Sequence, residues 1–331
     1  MQEYVPFLFR AAQLSDLDAV YGFSQVAGLT NLPPDRELLE HNIRRSLHCF
    51  NNPPHAPDPN DFYFFVIENT LTQTPIGCCA LYADIGTGFP FYTFHVDEEQ
   101  NTLTLKTELQ EASEMAALYL SPQERMHHMG AFLSRGRYLW IASHPKRFHP
   151  TLIAEMRGRV DKQSQSPFWE LFVHRYIKDK TFQQADFDLV RHHLEFIDEL
   201  LPHTPIAIDT LDQRARACIG IPHLATRAAV NLLQHEGFTK TKHINIFDGG
   251  PILSIPTKEI QTIARSFTAR FAGARHPTSQ DVYLVATTSF PFYVSLTTVD
   301  IDREKHCCYL PPEVAQRMQL NINDTLRLSI F

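Results

Sequence analysis

The sequence has no CxxC spacing, no run near the roughly 20 apolar residues of a membrane span, no low-complexity tract and no repeat of fixed period. Each lack removes a class of protein. The six cysteines fall at Cys49, Cys78, Cys79, Cys218, Cys307 and Cys308, with two adjacent pairs in apolar stretches. That reads as buried reduced thiols, not as a disulfide framework or a zinc site. Positive charge is also short. Thirty lysines and arginines face 37 acidic residues, a formal net charge of −7, so a phosphate-tracking surface, and with it nucleic acid, is not expected. Met1 to Phe9 carries an acidic residue and no cationic leader before an apolar run, so no membrane association is expected and the expected location is the cytoplasm. Histidine is abundant at 17, but neither His127-His128 nor His192-His193 offers the helical spacing with a fixed second shell that a metal needs, so no metal is expected.

What is present suits a soluble globular protein. A chain of 331 residues, 44% hydrophobic and 20% charged, can build a main domain and a smaller companion. Val5 to Ala11 reads as an opening strand, and Ser15-Asp16-Leu17-Asp18 has the form of a capping box. Leu17, Val20, Tyr21 and Ala27 then continue at helical spacing until Gly28, and beyond Pro33-Pro34 a second helix is marked by Leu38, Leu39, Ile43 and Leu47. Phe62 to Glu68 and Ile76 to Ala83 read as a hairpin. Met115 to Leu120 is a strand, Ser121 to Met129 a polar loop, Gly130 to Ala142 a helix carrying Phe132, Leu133, Tyr138 and Ile141, and Leu152 to Met156 the following strand. Further helices are expected at Phe168 to Tyr176, Asp186 to Leu201 and Ala225 to Phe238. After Gly250 the texture turns to strands, at Val282 to Ala286, Phe292 to Val299 and Thr325 to Phe331. Pro311-Pro312-Glu313 opens a short helix there, and Phe271 to Gln280 reads as a loop. The expected division is 1–250 and a small β-rich C-terminal domain, 251–331.

Three islands mix charged or small residues into apolar segments. They are Ile153-Ala154-Glu155-Met156-Arg157-Gly158 with the nearby Ser166-Pro167-Phe168-Trp169, then Pro222-His223, then Ile246-Phe247-Asp248-Gly249-Gly250-Pro251. In this order and at these separations the chain resembles the arginine N-succinyltransferase family along nearly its whole length. That family is similar in fold to the GNAT-like acyl-CoA N-acyltransferases. The resemblance implies an α+β fold: a mixed sheet flanked by helices, a helical insertion, and a small β-rich C-terminal domain. It implies a cleft where the strand before the polar loop splays from its neighbour and admits acyl-CoA. The activity implied is transfer of succinyl from succinyl-CoA to the α-amine of L-arginine in arginine catabolism, with ornithine as a second amine. Succinyl-CoA would be a co-substrate, with no permanently bound cofactor. The implied assembly is a homo-oligomer, or a hetero-oligomer with a sister subunit. A different acyl donor or amine, and a non-catalytic subunit or ligand sensor that keeps the fold, stand as alternatives.

Acyl transfer from a thioester to an amine needs a group that moves a proton, donors for the oxyanion and a seat for the CoA pyrophosphate. His223 precedes a helix and is of the side-chain type best suited to moving a proton near neutral pH, and by resemblance is the active-site residue; its plain reading is a helix-capping or surface histidine. The run Arg125, Met126, His127, His128, Met129, Gly130 occupies the place of the pyrophosphate turn, Arg/Gln-x-x-Gly-x-Gly/Ala, with His128 where the first glycine would be. A side chain and a disfavoured backbone angle are therefore expected at His128. The backbone at Leu118 is expected to meet the pantetheine arm. Glu155 and Arg157 are placed on one strand face, either to hold substrate or to pair with each other. Asp248, in a glycine turn, could face a guanidinium or simply close the turn. Gly28-Leu29-Thr30-Asn31-Leu32-Pro33 follows the family pattern near the substrate end of the first helix. The connection Thr107 to Met115, and Val96 to Thr104 before it, departs from the family by being shorter.

Overall fold

Buried aromatic and β-branched side chains set the strands of this computed structural model, which describes residues 6–25, 32–53, 55–88, 90–125, 128–161, 163, 165–190 and 195–331. The chain opens with β1 (Phe7–Ala11), α1 (Leu17–Ser24), α2 (Arg36–Asn51), β2 (Phe62–Asn69) and β3 (Thr74–Ile85). It continues through β4 (Thr93–Asp97), β5 (Thr102–Lys106), β6 (Ala112–Leu120), α3 (Met129–Ser143) and β7 (Thr151–Glu155). Short helices follow, α4 (Pro167–Leu171), α5 (Phe182–Val190), α6 (Glu195–Leu200) and, after β8 (Ile206–Ala207), α7 (Gln213–Arg216). Then come α8 (Arg227–His235), β9 (Thr239–Asn245), β10 (Pro251–Pro256), α9 (Gln261–Ala264) and β11 (Phe267–Ala274). The end is β12 (Val282–Thr287), β13 (Tyr293–Thr298), β14 (Asp300–Asp302), β15 (Cys307–Leu310), α10 (Pro312–Arg317) and β16 (Thr325–Ile330).

Among the described residues sixteen strands join in one continuous sheet, ordered β14-β15-β11-β16-β12-β13-β1-β2-β3-β6-β7-β10-β9-β4-β5-β8. The ladders are antiparallel except β6 with β7 and β11 with β15. A parallel pair needs a crossover, and α3 supplies it between β6 and β7. Helices α1 and α2 cover one face, where Leu17, Val20, Leu39 and Ile43 pack on Phe62, Phe64 and Val66. On the other face α3 and α8 bring Phe132, Leu133, Val230 and Leu233 against Phe65, Leu81, Leu152 and Leu253. The helical insertion α4–α7 has its own core, with Phe168, Trp169 and Phe172 packed on Phe94, Leu103 and Leu105 of the β4–β5 hairpin.

Several expectations change in detail. The capping box is formed by Gln13 and Asp16, not by Ser15 and Asp18: Asp16 accepts from the Gln13 N–H at 2.7 Å while paired with Arg10 at 2.7 Å. The buried arginine, invisible in a local capping pattern, fixes which carboxylate turns inward. The expected loop at Phe271 is the end of β11, which pairs with β15 and β16. Position 250/251 lies between two strands of the same region, because β10 is hydrogen-bonded to both β7 and β9. The strands from β11 onward form the C-terminal part, joined to the rest through β1 with β13. The short connection from Val96 to Thr104 is mostly the ordered β4–β5 hairpin, paired with β9 and β8. Of the Gly28 to Pro33 run, residues 28–31 lie outside the described residues, as do His127, His192 and His193.

Candidate active site

The parallel ladder between β6 and β7 is short. It pairs Ser113 with Leu152 and Glu114 with Ile153, and then the strands part. On its other edge β6 carries a bulge, with Ala117 at φ 53° and the register against β3 shifting between Cys78 and Ala80. A bulge re-aims the peptide groups beside it. The splay leaves a cleft of about 110 Å³ whose lining includes Ala117, Leu118, Glu155, Arg157, Thr226 and Ala229. Leu118 is thus at the cleft wall, past the end of the β6–β7 ladder, where a linear amide arm can bond to strand backbone.

The three sequence islands converge at the end of β7. His223 N–H donates to Arg157 O at 2.8 Å, and Pro222 forms a bridge with Gly158. Asp248 is 2% exposed and accepts from the Gly158 and Gly250 N–H groups, each at 2.8 Å. Both glycines are required by close approach. A Cβ on Gly158 would strike the Asp248 carbonyl oxygen, and one on Gly250 would strike Met156 O and lie 2.6 Å from the Gly158 nitrogen. Asp248 does face a guanidinium, but it is that of Arg157, 3.5 Å away.

Arg157 does not pair with Glu155, because β7 ends at Glu155 and the chain turns. Its Nη1 instead donates to both oxygens of Asp186 at 3.1 Å, and the guanidinium lies over the Phe182 ring at 4.7 Å. Among the described residues its buried Nε has no hydrogen-bond partner. Glu155 accepts from Asn245 Nδ2 at 3.1 Å. Burial pushes the Glu155 carboxyl up to about 7, with Asn245 and Arg157 pulling the other way and Asp248 and Asp186 adding to the rise. Glu114 is raised well above its ordinary value by burial and by Glu155. Burial likewise lifts Asp186 to about 6 against the pull of Arg157, and lifts Asp248. Among the described residues neither Glu114 nor Glu155 has an ion-pair partner within 4.0 Å. Of these carboxyls it is Glu155 that lines the cleft, together with Arg137 and Arg157, so the wall carries ionisable groups of both signs.

His223 is half-buried and stands at the start of a 3₁₀ turn, Leu224–Thr226, that leads into α8. Its Nδ1 accepts from the Ala225 N–H at 3.2 Å, so the neutral ring carries its proton on Nε2. It is both the expected cap and a neighbour of the cleft, through its bond to Arg157 and through Thr226 in the cleft wall. A charged His223 ring would lower the Asp248 carboxyl, which places the two within one electrostatic unit.

At the turn before α3, Arg125 is exposed and donates from Nε to Leu120 O at 3.1 Å. His128 is exposed and adopts φ 62°, ψ 17°, the left-handed conformation that a glycine would take there freely. The disfavoured angle is thus present, and the imidazole projects outward, its ring 6.4 Å from that of Phe331. Met129 is buried, and Gly130 has only Leu232 near its would-be Cβ, at 3.8 Å. Met126 and His127, which complete the turn, lie outside the described residues. Helix α8 lines the cleft through Ala229 and Leu233 and is followed by Gly237 (φ 104°) and the buried Phe238. Ser166 caps α4, accepting from Trp169 N–H at 3.3 Å, and Phe168 and Trp169 are core.

Sequence reading missed Glu114, Arg137, Asp186 and Asn245. Arg137 had a signal. It sits four residues from both Leu133 and Ile141, a charge inside the apolar stripe of α3. Asp186 had none, since its partner is 29 residues away. Nor did sequence reading bring together His95, Glu108 and His243, whose ligand atoms lie within 4.8 Å of one another on the β4–β5 and β9 edge. Glu108 there already has the Lys106 ammonium at 3.4 Å.

Comparison with known proteins fits this geometry. The family model for the arginine N-succinyltransferase beta subunit matches residues 7–262. An arginine N-succinyltransferase of Enterobacter sp. is 32% identical over 316 residues, 91% of this chain and 90% of that protein. One of Yersinia enterocolitica is 31% identical, over 96% and 95% respectively. The solved structure of arginine/ornithine succinyltransferase subunit AI from Pseudomonas aeruginosa superposes with a TM-score of 0.83 at 27% identity, covering 98% of both chains. Matched in sequence over most of its length and in fold over nearly all of it, the chain belongs to the arginine N-succinyltransferase family.

Proposed function

We propose that this protein is a CoA-dependent N-acyltransferase that moves succinyl from succinyl-CoA to the α-amine of L-arginine. The observation that carries the reading is the acid in the cleft wall: Glu155, half-buried in the cleft lining and without an ion-pair partner within 4.0 Å among the described residues, suits a basic amino acid. A guanidinium brought there would hold it ionised and orient the α-amine towards the splayed strands.

In the reaction the amine nitrogen attacks the thioester carbonyl, the C–N bond forms, the C–S bond breaks, and the proton leaving the amine ends on the CoA sulfur. His223 is the group proposed to move that proton: a ring nitrogen with its lone pair free takes it from the amine and the imidazolium passes it to the sulfur, which requires the Ala225 contact to Nδ1 to give way. The pantetheine arm would lie along Leu118, with the pyrophosphate at the α3 N-terminus among Arg125, His128, Met129 and Gly130, where backbone N–H groups and the helix dipole favour an anion. Arg157, locked between Asp186 and Asp248, would present its unpartnered Nε to a substrate carboxylate. Ornithine is the second amine we propose, and assembly with like or sister subunits and a cytoplasmic location complete the reading. Among the described residues no helix is long and apolar enough to cross a membrane.

The test is CoA release, read as free thiol, from succinyl-CoA or acetyl-CoA with L-arginine or ornithine, in the native protein and in His223→Ala. Arginine-dependent release that collapses in the variant supports both reaction and residue. A folded protein that releases nothing with any pair sinks the enzyme reading in favour of a non-catalytic subunit, for which the side chain at His128 is the first suspect.

A further inference from the structure

Three arginines are buried to 9% exposure or less, and two of them are held by short bonds, Arg10 to two carboxylates and Arg147 to neutral oxygens. Arg10 pairs with Asp16 at 2.7 Å and Glu68 at 2.6 Å. Arg147 donates to Cys49 O at 2.8 Å, to Asn52 O, and to Tyr63 Oη at 2.9 Å. It thereby caps the carbonyl end of α2 and meets a phenol that itself donates to Asp61 at 2.9 Å. Arg137 is different. It is 2% exposed, yet its contacts are all to neutral acceptors at the long end of the range: Ser134 O at 3.2 Å, Ala80 O at 3.3 Å, Ala116 O and Ser134 Oγ each at 3.4 Å. Among the described residues no carboxylate lies within 4.0 Å of it. A buried guanidinium without a counter-ion is costly, and its fork suits a carboxylate in two parallel bonds.

Its position says which anion. Arg137 projects from α3 and lines the cleft together with Met115 to Leu118. On the proposed reading the pantetheine descends from the α3 N-terminus past Leu118, so the acyl group lies deeper, level with Ala117 and Ala116, where Arg137 waits. The cleft of about 110 Å³ has room for roughly three or four waters' worth of atoms, which matches a short acyl tail rather than any part of the nucleotide. Charge divides accordingly. The carboxyl of Glu155 and the cation of Arg137 line the same space, one pole for a cationic acceptor and one for an anionic donor.

We propose that Arg137 is the receptor for the distal carboxylate of the acyl group, and that it makes the enzyme select a dicarboxylic acyl-CoA over a monocarboxylic one. The inference rests on the acyltransferase reading above and adds the residue that sets donor choice.

The experiment compares succinyl-CoA with butyryl-CoA, which has the same chain length but a methyl in place of the carboxylate, in the native protein, Arg137→Met and Arg137→Lys. Both rates with saturating L-arginine and dissociation constants from thermal stabilisation by each thioester are measured. The native protein should prefer succinyl-CoA by about 100-fold or more in kcat/KM. Arg137→Met should lose most of that preference by weakening succinyl-CoA while leaving butyryl-CoA within about three-fold, and Arg137→Lys should restore part of it. Equal losses for both donors would make Arg137 a structural residue and overturn the proposal, as would an unchanged preference. If Arg137→Met does not fold, the native preference and the Arg137→Lys shift decide, and a native protein indifferent to the carboxylate overturns it. If no donor turns over, the function above fails, while the binding constants still read Arg137 on their own.

Discussion

The two parts of the sheet bury polar groups in opposite ways. From β1 to β10 the interior holds Arg10, Asp16, Glu114, Arg137, Arg147 and Asp248, ionisable groups that each carry a desolvation cost. From β11 to β16 the buried polar residues among those described are Ser295, Thr297 and Ser329, hydroxyls only, in a core of Phe271, Val285, Leu326 and Leu328. Its ion pairs, Arg275 with Asp300 and Lys305 with Asp302, involve exposed cations. An apolar core is the cheaper way to be stable. In the first part Arg10, Asp16, Arg147 and Asp248 answer to partners inside the fold, and it is Arg137, in the cleft lining, that we propose is kept for a ligand.

That contrast can be broken first at His223. His223→Ala should cut kcat by ~10²–10⁴-fold while leaving Tm nearly unchanged, read by thiol release and calorimetry; a falling Tm would make the residue chiefly a cap. Asp248→Ala should be the most destabilising change at the site, about 3–5 kcal/mol in urea unfolding, because it frees the Gly158 and Gly250 N–H groups and an arginine at once. Leu328→Ala, in the other part, should cost ~2–5 kcal/mol yet leave kcat of the folded fraction intact; a loss of kcat would mean that the C-terminal part does more than support.

A finer test uses pH. Glu155, Asp186 and Glu114 have folded-state values raised above those of the unfolded chain, so the folded state holds protons that the unfolded state releases. Stability should therefore fall as pH rises from about 4.5 to about 7, by roughly 1–3 kcal/mol, before L-arginine is added. Glu114→Gln should flatten that slope, and a slope of the opposite sign would refute the ionisation of these groups as the cause. The smallest effect is expected at His128→Gly. Releasing the left-handed angle should gain no more than ~1 kcal/mol, and the gain should be absent for an exposed residue at ordinary φ.

Elements governed by local pattern were legible: β1, the β2–β3 hairpin, α2, α3, β12, β13 and β16 all fall where hydrophobic period and turn residues put them. What escaped depends on distant partners. The capping box moves to Gln13 and Asp16, whose carboxylate Arg10 holds, and β11 extends through Phe271 because β15 and β16 lie beside it. At the site the glycine islands were visible, but their reason was not, since Gly158 and Gly250 serve the Asp248 carboxylate rather than a turn or a ligand. The expected pair of Glu155 with Arg157 failed because a two-residue period stops applying where the strand stops.

Phe9 of β1 faces Val294 of β13 on one side and Ile67 of β2 on the other. A ribosome delivers the second neighbour early and the first only when nearly the whole chain has emerged, a wait on the order of tens of seconds at ~5–20 residues per second. For that interval the growing chain carries an open strand edge at β1, beside the aromatic stack of Phe9 and Phe65. The seam that joins the two parts of the sheet is thus also the point at which a nascent chain is most exposed to a stray partner.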